Sequence, residues 1–298
     1  MAERASLEIG GGGGSQGSAG NRRTTFYGSL IRYHGQLQRQ EAEKPAAARL
    51  PSWAIAIGAD ELYYGDVYRA TFIEFVAMVA FMVIHCSIIN HSVSGAYTDP
   101  SLPIAVGHFL LLGFFILSFA ASSGGHINPL ITWATTTTGH TPLVRALLYT
   151  VAAFMGGVIG ALAFEEMSPG SLHKCQCTKA EMSDGGLFLS EFFFCMGLLF
   201  VAFGVAFDAR QGQVYGPILA PFFISATLGL LIFASSGMVA GYSGAGMNPV
   251  MCLAPVIVAG GGHGSEWVYA VGPLLASLVH GGIYLLVPPH HKDMYKTV

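Results

Sequence analysis

Six stretches of this chain stay apolar for about twenty residues at a time, near Tyr68–Ile89, Leu102–Ala121, Leu143–Phe164, Leu187–Phe207, Gly216–Ala234 and Trp267–Val287. A helix needs roughly 20 residues to cross the hydrocarbon core of a bilayer, and helices satisfy their own backbone polar groups there. The pattern therefore predicts six membrane-spanning helices. The first 66 residues break it, with a Gly10–Gly14 run, scattered Arg, Gln and Ala, and little apolar period. They read as a disordered N-terminal tail over 1–66, with a short helix around Gly35–Arg49. Within it Arg22-Arg23-Thr24-Thr25 is a candidate phosphorylation site in a stretch more simply read as an exposed basic tail. Residues 289–298 form a brief polar C-terminal tail.

Composition supports lipid as the solvent: 298 residues are 52% hydrophobic and 10% charged, with mean hydropathy +0.54. A net charge of −3 argues against a nucleic-acid surface. The placement of the charges says more. With six spans and no signal peptide near Met1, both termini fall on the cytoplasmic side, and Lys174 and Lys179 are then the only basic residues outside. The expectation is an integral membrane protein with both termini cytoplasmic, in the plasma membrane. Of five cysteines, Cys86, Cys195 and Cys252 sit in apolar surroundings and read as small buried hydrophobes. Cys175 and Cys177 lie in the external loop between spans three and four, where a disulfide within or between subunits can form. No neighbouring residues complete a metal set around them.

Two tracts outrun the helices they contain. From Pro100 to Val144, and again from Gln211 to Ser265, there is no Asp, Glu, Lys or Arg, which is twice what one span needs. A solvated loop carries charge, so the surplus is expected to re-enter the membrane, buried against protein. The two tracts share a motif: Ser123-Gly124-Gly125-His126-Ile127-Asn128-Pro129-Leu130 and Ser243-Gly244-Ala245-Gly246-Met247-Asn248-Pro249-Val250. Half of the four asparagines in the chain fall in these copies. Glu74 and Glu191 precede them at similar distances. Each half holds three spans and one re-entrant segment, and three is odd, so the halves enter from opposite sides as an inverted repeat. This gives a membrane domain at 67–288, with a first repeat at 67–165 and a second at 186–288. The fold class is all-α, six transmembrane helices plus two re-entrant half-helices.

Asparagine is a preferred N-cap and proline a preferred first helical residue, so Asn-Pro starts a helix. Leu130–Thr138 and Val250–Ala259 are the expected half-helices. Entering from opposite faces, they meet near the midplane, each N-terminus carrying about half a positive charge. Such ends disfavour cations, protons included, while the Asn amides offer donors to neutral oxygen-bearing solutes. Glu74 and Glu191 lie in apolar spans and need partners there; repeat symmetry favours acceptance of hydrogen bonds from the re-entrant backbone over a proton relay. His85, His108, His126 and His280 all fall in membrane segments, where packing is the usual role. His126, two residues before Asn128, is the exception expected to face a cavity. Gly156, Gly160, Gly272 and the Gly281-Gly282 pair read as close helix contacts.

These residues resemble the major intrinsic proteins, whose signature is two Asn-Pro-Ala boxes in oppositely oriented loops. Ser123–Pro129, Gly244–Pro249, Thr71-Phe72-Ile73-Glu74-Phe75 and Trp267-Val268-Tyr269 followed by Gly272-Pro273 match it in order, over about Arg69–Val287. Asn128–Thr132, Phe207–Gln211 and Cys252 are most similar to the X-intrinsic proteins. The resemblance implies a passive channel domain and a homotetramer with one pore per subunit. It also implies glycerol, urea or hydrogen peroxide as cargo ahead of water, without a cofactor or catalytic residues. By family spacing His108, Ser236, Ala245 and Met251 form the selectivity constriction, a two-residue shift substituting Val106 for His108. Leu130 and Val250 stand where the boxes have alanine, and Met251 where the family has an arginine, so the wall lacks a fixed cation. An inverted-repeat secondary transporter or a nonconducting membrane scaffold are the alternatives.

Overall fold

A computed structural model describes residues 50–95, 97–262 and 264–286. The expectations for residues 1–49, including the Gly35–Arg49 helix and the Arg22–Thr25 site, and for the tail at 289–298 fall outside the described residues. The described part is helical: α1 (Ser52–Ala56), a 3-10 turn (Ala59–Tyr63), α2 (Gly65–Ser94), α3 (Ser101–Ser123), α4 (Pro129–Thr137), α5 (Leu143–Met167), α6 (Asp184–Ala202, prolonged by a π turn at Phe203–Phe207), α7 (Ala209–Ser236), α8 (Pro249–Ala259) and α9 (Val268–Leu286). Six of these helices are long and apolar enough to cross a membrane. Large apolar side chains such as Phe72, Phe114, Val151, Phe193 and Leu230 are exposed on their outer faces, as lipid contact requires.

The helices are arranged as an inverted repeat. In the first half α2 packs on α5, and in the second α6 packs on α9, the equivalent pair. The equivalent helices α3 and α7 pack on each other, and each half-helix lies against the last span of the other half, α4 on α9 and α8 on α5. Small residues set these distances. A Cβ at Gly156 would lie 2.5 Å from the Phe75 carbonyl and one at Gly160 2.6 Å from that of Val79, so α2 and α5 approach backbone to backbone through a four-residue glycine spacing. Gly272 and Gly281 are close contacts against side chains, Glu191 Cβ and Thr137 respectively, whereas Gly282 has open space around it.

Two boundaries differ from the sequence reading. Residues 50–66, assigned to the disordered tail, contain α1 and the 3-10 turn and dock onto the start of α5. The cause is Arg145, buried at the end of a span, whose guanidinium requires a carboxylate. Glu61 supplies it bidentately, Nε to Oε2 and Nη2 to Oε1 both at 2.9 Å, and the Val144 N–H donates to the Ile57 carbonyl at 3.0 Å. Burial pushes the Glu61 carboxyl above its ordinary value, against the downward pull of Arg145. The fifth span, expected over Gly216–Ala234, runs Ile218–Ser236 and is preceded by a helical segment from Ala209, the two joined by a kink where Gly216 takes φ 67°, a conformation glycine adopts without strain.

Candidate transmembrane pore

The half-helices α4 and α8 have nine and eleven residues, roughly 13 and 16 Å. Together they match the roughly 30 Å hydrocarbon thickness. Each is capped by its own asparagine: Asn128 Oδ1 accepts from Leu130 N at 2.9 Å and Asn248 Oδ1 from Val250 N at 3.1 Å. Pro129 and Pro249 occupy the first helical position, where no N–H is needed.

The two asparagines are then tied to each other's loop. Asn128 Nδ2 donates to the Met247 carbonyl at 2.9 Å, and Asn248 Nδ2 to the Ile127 carbonyl at 3.0 Å. To present those carbonyls, Ile127 and Met247 take φ of 47° and 52°, left-handed values that cost a non-glycine residue about 1–2 kcal/mol. The buried carboxylates hold them there. Glu74 accepts from Ile127 N at 2.7 Å, His126 N at 3.0 Å and Ser123 Oγ at 2.6 Å; Glu191 accepts from Gly246 N at 2.7 Å and Met247 N at 3.2 Å. Charge-assisted bonds of this kind, about 1.5–3 kcal/mol each, outweigh the backbone strain.

Leu130 and Val250 are fully buried where the half-helices meet. The extra bulk of Val250 is received by Gly157 of α5, where any Cβ would overlap Val250 Cγ1. Leu130 sits in an apolar cluster with Ala134, Cys195 and Ala276, and its carbonyl accepts from Ser277 Oγ at 2.9 Å.

Two cavities approach the asparagines from opposite ends. An inner one of about 60 Å³ is mostly apolar, with Asn128, Asn248 and His126 as its polar lining. His126 is fixed there by Thr132 Oγ1 at 3.1 Å from Nδ1 and by the edge of Tyr149, with ring centroids 5.3 Å apart. An outer cavity of about 490 Å³ opens on the side of the 168–183 loop, and His108, Ser236, Ala245 and Met251 all line it. Met251 belongs to both linings and so lies between them. Val106 is 48% exposed and lines neither cavity. At the outer rim the Ser101 N–H and hydroxyl hold the Asp99 carboxyl below its ordinary value.

Three features of this site were missed in the sequence. Cys252 is not a simple buried hydrophobe: of the two loop cysteines read as able to form a disulfide, Cys177 does so, with Cys252, Cα atoms 5.1 Å apart, tying the 168–183 loop to the residue after Met251. Cys175 remains a buried free thiol. The signal was present, since Cys252 lies in the first turn of a half-helix whose re-entrant segment was expected to enter from the side of the loop that carries Cys177. Close packing of α8 adds a second constraint, because a Cβ at Gly246 would overlap Cys252 Sγ. Second, Gly157 was not singled out beside Gly156 and Gly160. Third, His85 of α2 lines the outer cavity with His108, and its position eleven residues after Glu74 puts both on one helix face. Among the described residues, no three His, Cys, Asp or Glu side chains converge as a metal-binding group.

Comparison with known proteins agrees with this geometry. The chain is 29% identical over 253 residues to the probable aquaporin TIP1-2 of Oryza sativa subsp. japonica, covering 82% of this chain and 98% of the relative. It is 29% identical over 241 residues to aquaporin TIP1-1 of Arabidopsis thaliana, covering 79% and 93%. The crystallographic aquaglyceroporin from Plasmodium falciparum shares the fold, with TM-score 0.61 at 20% identity over 74% of this chain and 96% of that one. The sequence model of the Major intrinsic protein family matches residues 61–284; the chain belongs to that family of membrane channels for water or small solutes.

Proposed function

We propose that this protein passes small uncharged solutes of the glycerol, urea and hydrogen peroxide type through one pore per subunit of a homotetramer, excluding ions and protons at the two Asn-Pro helix ends. The observation that carries the reading is the reciprocal pairing of Asn128 and Asn248. Each amide has two N–H groups, and one is given to the opposite loop. The other remains for a molecule in the cavity that both asparagines line. The half-helix ends behind them place positive potential at the same point, which repels a cation and not a neutral solute.

Met251 supports the preference for larger solutes over water. A thioether offers no donor, so a water molecule leaving its hydration shell regains little from this side of the wall, whereas a polyol also buries its carbon skeleton against Met251, Phe81 and Leu112. Lys and Arg asymmetry supports cytoplasmic termini.

Stopped-flow light scattering on proteoliposomes, with water, glycerol, urea and hydrogen peroxide in turn, tests the proposal. Non-saturating glycerol flux without a proton gradient is the expected result. Saturating, gradient-driven flux would mark a transporter instead, and absence of flux for every solute would mark a scaffold.

A further inference from the structure

At its external end α2 carries a polar stripe on a face that otherwise meets lipid. Ser87, Asn90, His91 and Ser94 follow at helical spacing and, with Phe164 and Met167 at the end of α5, line a cleft of about 370 Å³. The cleft shares no residue with either pore cavity, and no Asp or Glu lines it. Lys174, from the 168–183 loop, donates from Nζ to Asn90 Oδ1 at 3.1 Å and to Ser94 Oγ at 2.8 Å. A lysine only donates, so the Asn90 atom it meets is the oxygen. Ser94 Oγ gives its own hydrogen to the same oxygen at 3.2 Å, and Ser87 Oγ gives its hydrogen to the Val83 carbonyl at 2.7 Å. Donors are what remain: both N–H groups of the Asn90 amide, the third N–H of the Lys174 ammonium and a ring N–H of His91. Asn90 and Lys174 are half-buried and His91 is exposed, so a ligand can approach them. Among the described residues no carboxylate pairs with Lys174.

We infer that this cleft binds the phosphate group of a phospholipid in the external leaflet. A cation without a carboxylate, flanked by neutral donors, selects an anionic group over a neutral one. The C-terminus of α2 brings about half a negative charge to the same place, which the full charge of Lys174 outweighs. Position identifies the lipid as the source of the phosphate. Helix α2 ends at Ser94 and α5 at Met167, so the cleft lies at headgroup level, where two neighbouring spans leave the hydrocarbon. Met167 beside it is 69% exposed, and Ile84, one turn inward on the face of the stripe, is 40% exposed. Acyl chains therefore find apolar surface next to the polar cleft, from which a free phosphate ion gains nothing.

The test uses full-length protein, purified in detergent, stripped of lipid and read by native mass spectrometry. The probes are phosphatidylglycerol, diacylglycerol with the same acyl chains, and inorganic phosphate. The unaltered protein is expected to bind phosphatidylglycerol about ten-fold more tightly than diacylglycerol, the worth of one charge-assisted hydrogen bond. Lys174→Gln removes the cation; Asn90→Asp replaces the amide donors by acceptors and gives Lys174 a carboxylate partner. Each should abolish the preference. A preference that survives in either folded variant marks general lipid adhesion and overturns the inference, as does equal binding of diacylglycerol by the unaltered protein. Displacement of phosphatidylglycerol by inorganic phosphate at equal concentration would show a free-anion site and overturn the choice of lipid. Dissociation of an oligomer by Asn90→Asp would mark the cleft as a contact between subunits, which overturns it as well.

Discussion

The contact between Val250 and Gly157 makes a double-variant prediction with a definite sign. Gly157→Ala adds a methyl group that overlaps Val250 Cγ1. Overpacking of this kind costs about 1–3 kcal/mol, and alanine's better helix propensity returns about 0.8–1 kcal/mol, for a net loss of about 0–2 kcal/mol. Val250→Ala removes two carbons from a fully buried side chain; lost packing and the residual cavity together come to about 2 kcal/mol. Independent effects would sum to about 2–4 kcal/mol. In the double variant, however, the new methyl at 157 occupies the volume that Cγ1 vacates, so the loss should be within about 1 kcal/mol of the unaltered protein. Thermal unfolding in detergent, followed with a thiol-reactive dye, reads this directly, because Cys86, Cys175 and Cys195 are free and buried and react only on unfolding. At roughly 2–4 °C per kcal/mol, each single variant melts lower and the double nearly normally. If the two losses simply add, Val250 is not accommodated by Gly157 and the packing argument for the altered box is wrong.

Three further outcomes are expected. Glu191→Gln keeps one acceptor but turns an amide N–H₂ toward a backbone N–H it formerly received, costing about 2–3 kcal/mol; an unchanged melting temperature would rule out the carboxylate as the support of the 246–247 backbone. Cys177→Ser should destabilise by about 2–4 kcal/mol, and in the unaltered protein, alkylated in denaturant before and after reduction, three and then five cysteines should be labelled; five labelled thiols without reductant would dispose of the Cys177–Cys252 bond. Met251→Arg introduces donors between the cavities and should raise the water-to-glycerol permeability ratio several-fold, on the order of 1 kcal/mol of barrier, in the stopped-flow assay; an unaltered ratio would remove Met251 from the permeation path.

Much of the fold was legible because lipid simplifies the sequence rules. Six apolar runs and two charge-free tracts admit few arrangements once every backbone group must be satisfied internally. Asn128-Pro129 and Asn248-Pro249 announced their helices through local capping chemistry alone, and the structure starts each half-helix one residue earlier than expected, at the proline. What escaped were pairings between residues distant in sequence. Cys252 looked like filler because its partner lies 75 residues away. His85 looked like a packed histidine because its meaning depends on His108 across a helix interface. Residues 50–66 looked like tail because the carboxylate of Glu61 matters only once Arg145 is buried beside it.

The crossed bonds between Asn128 and the Met247 carbonyl, and between Asn248 and that of Ile127, have a consequence for how the molecule tolerates change. Neither loop holds its shape without the other, so an alteration on one side of the pseudo-twofold axis is felt at once on its mirror side. The side chains of Leu130, Val250 and Met251 lie outside the reciprocal clasp, so a change there leaves both crossed bonds in place. The architecture separates a midpoint common to both halves from a lining free to differ between them.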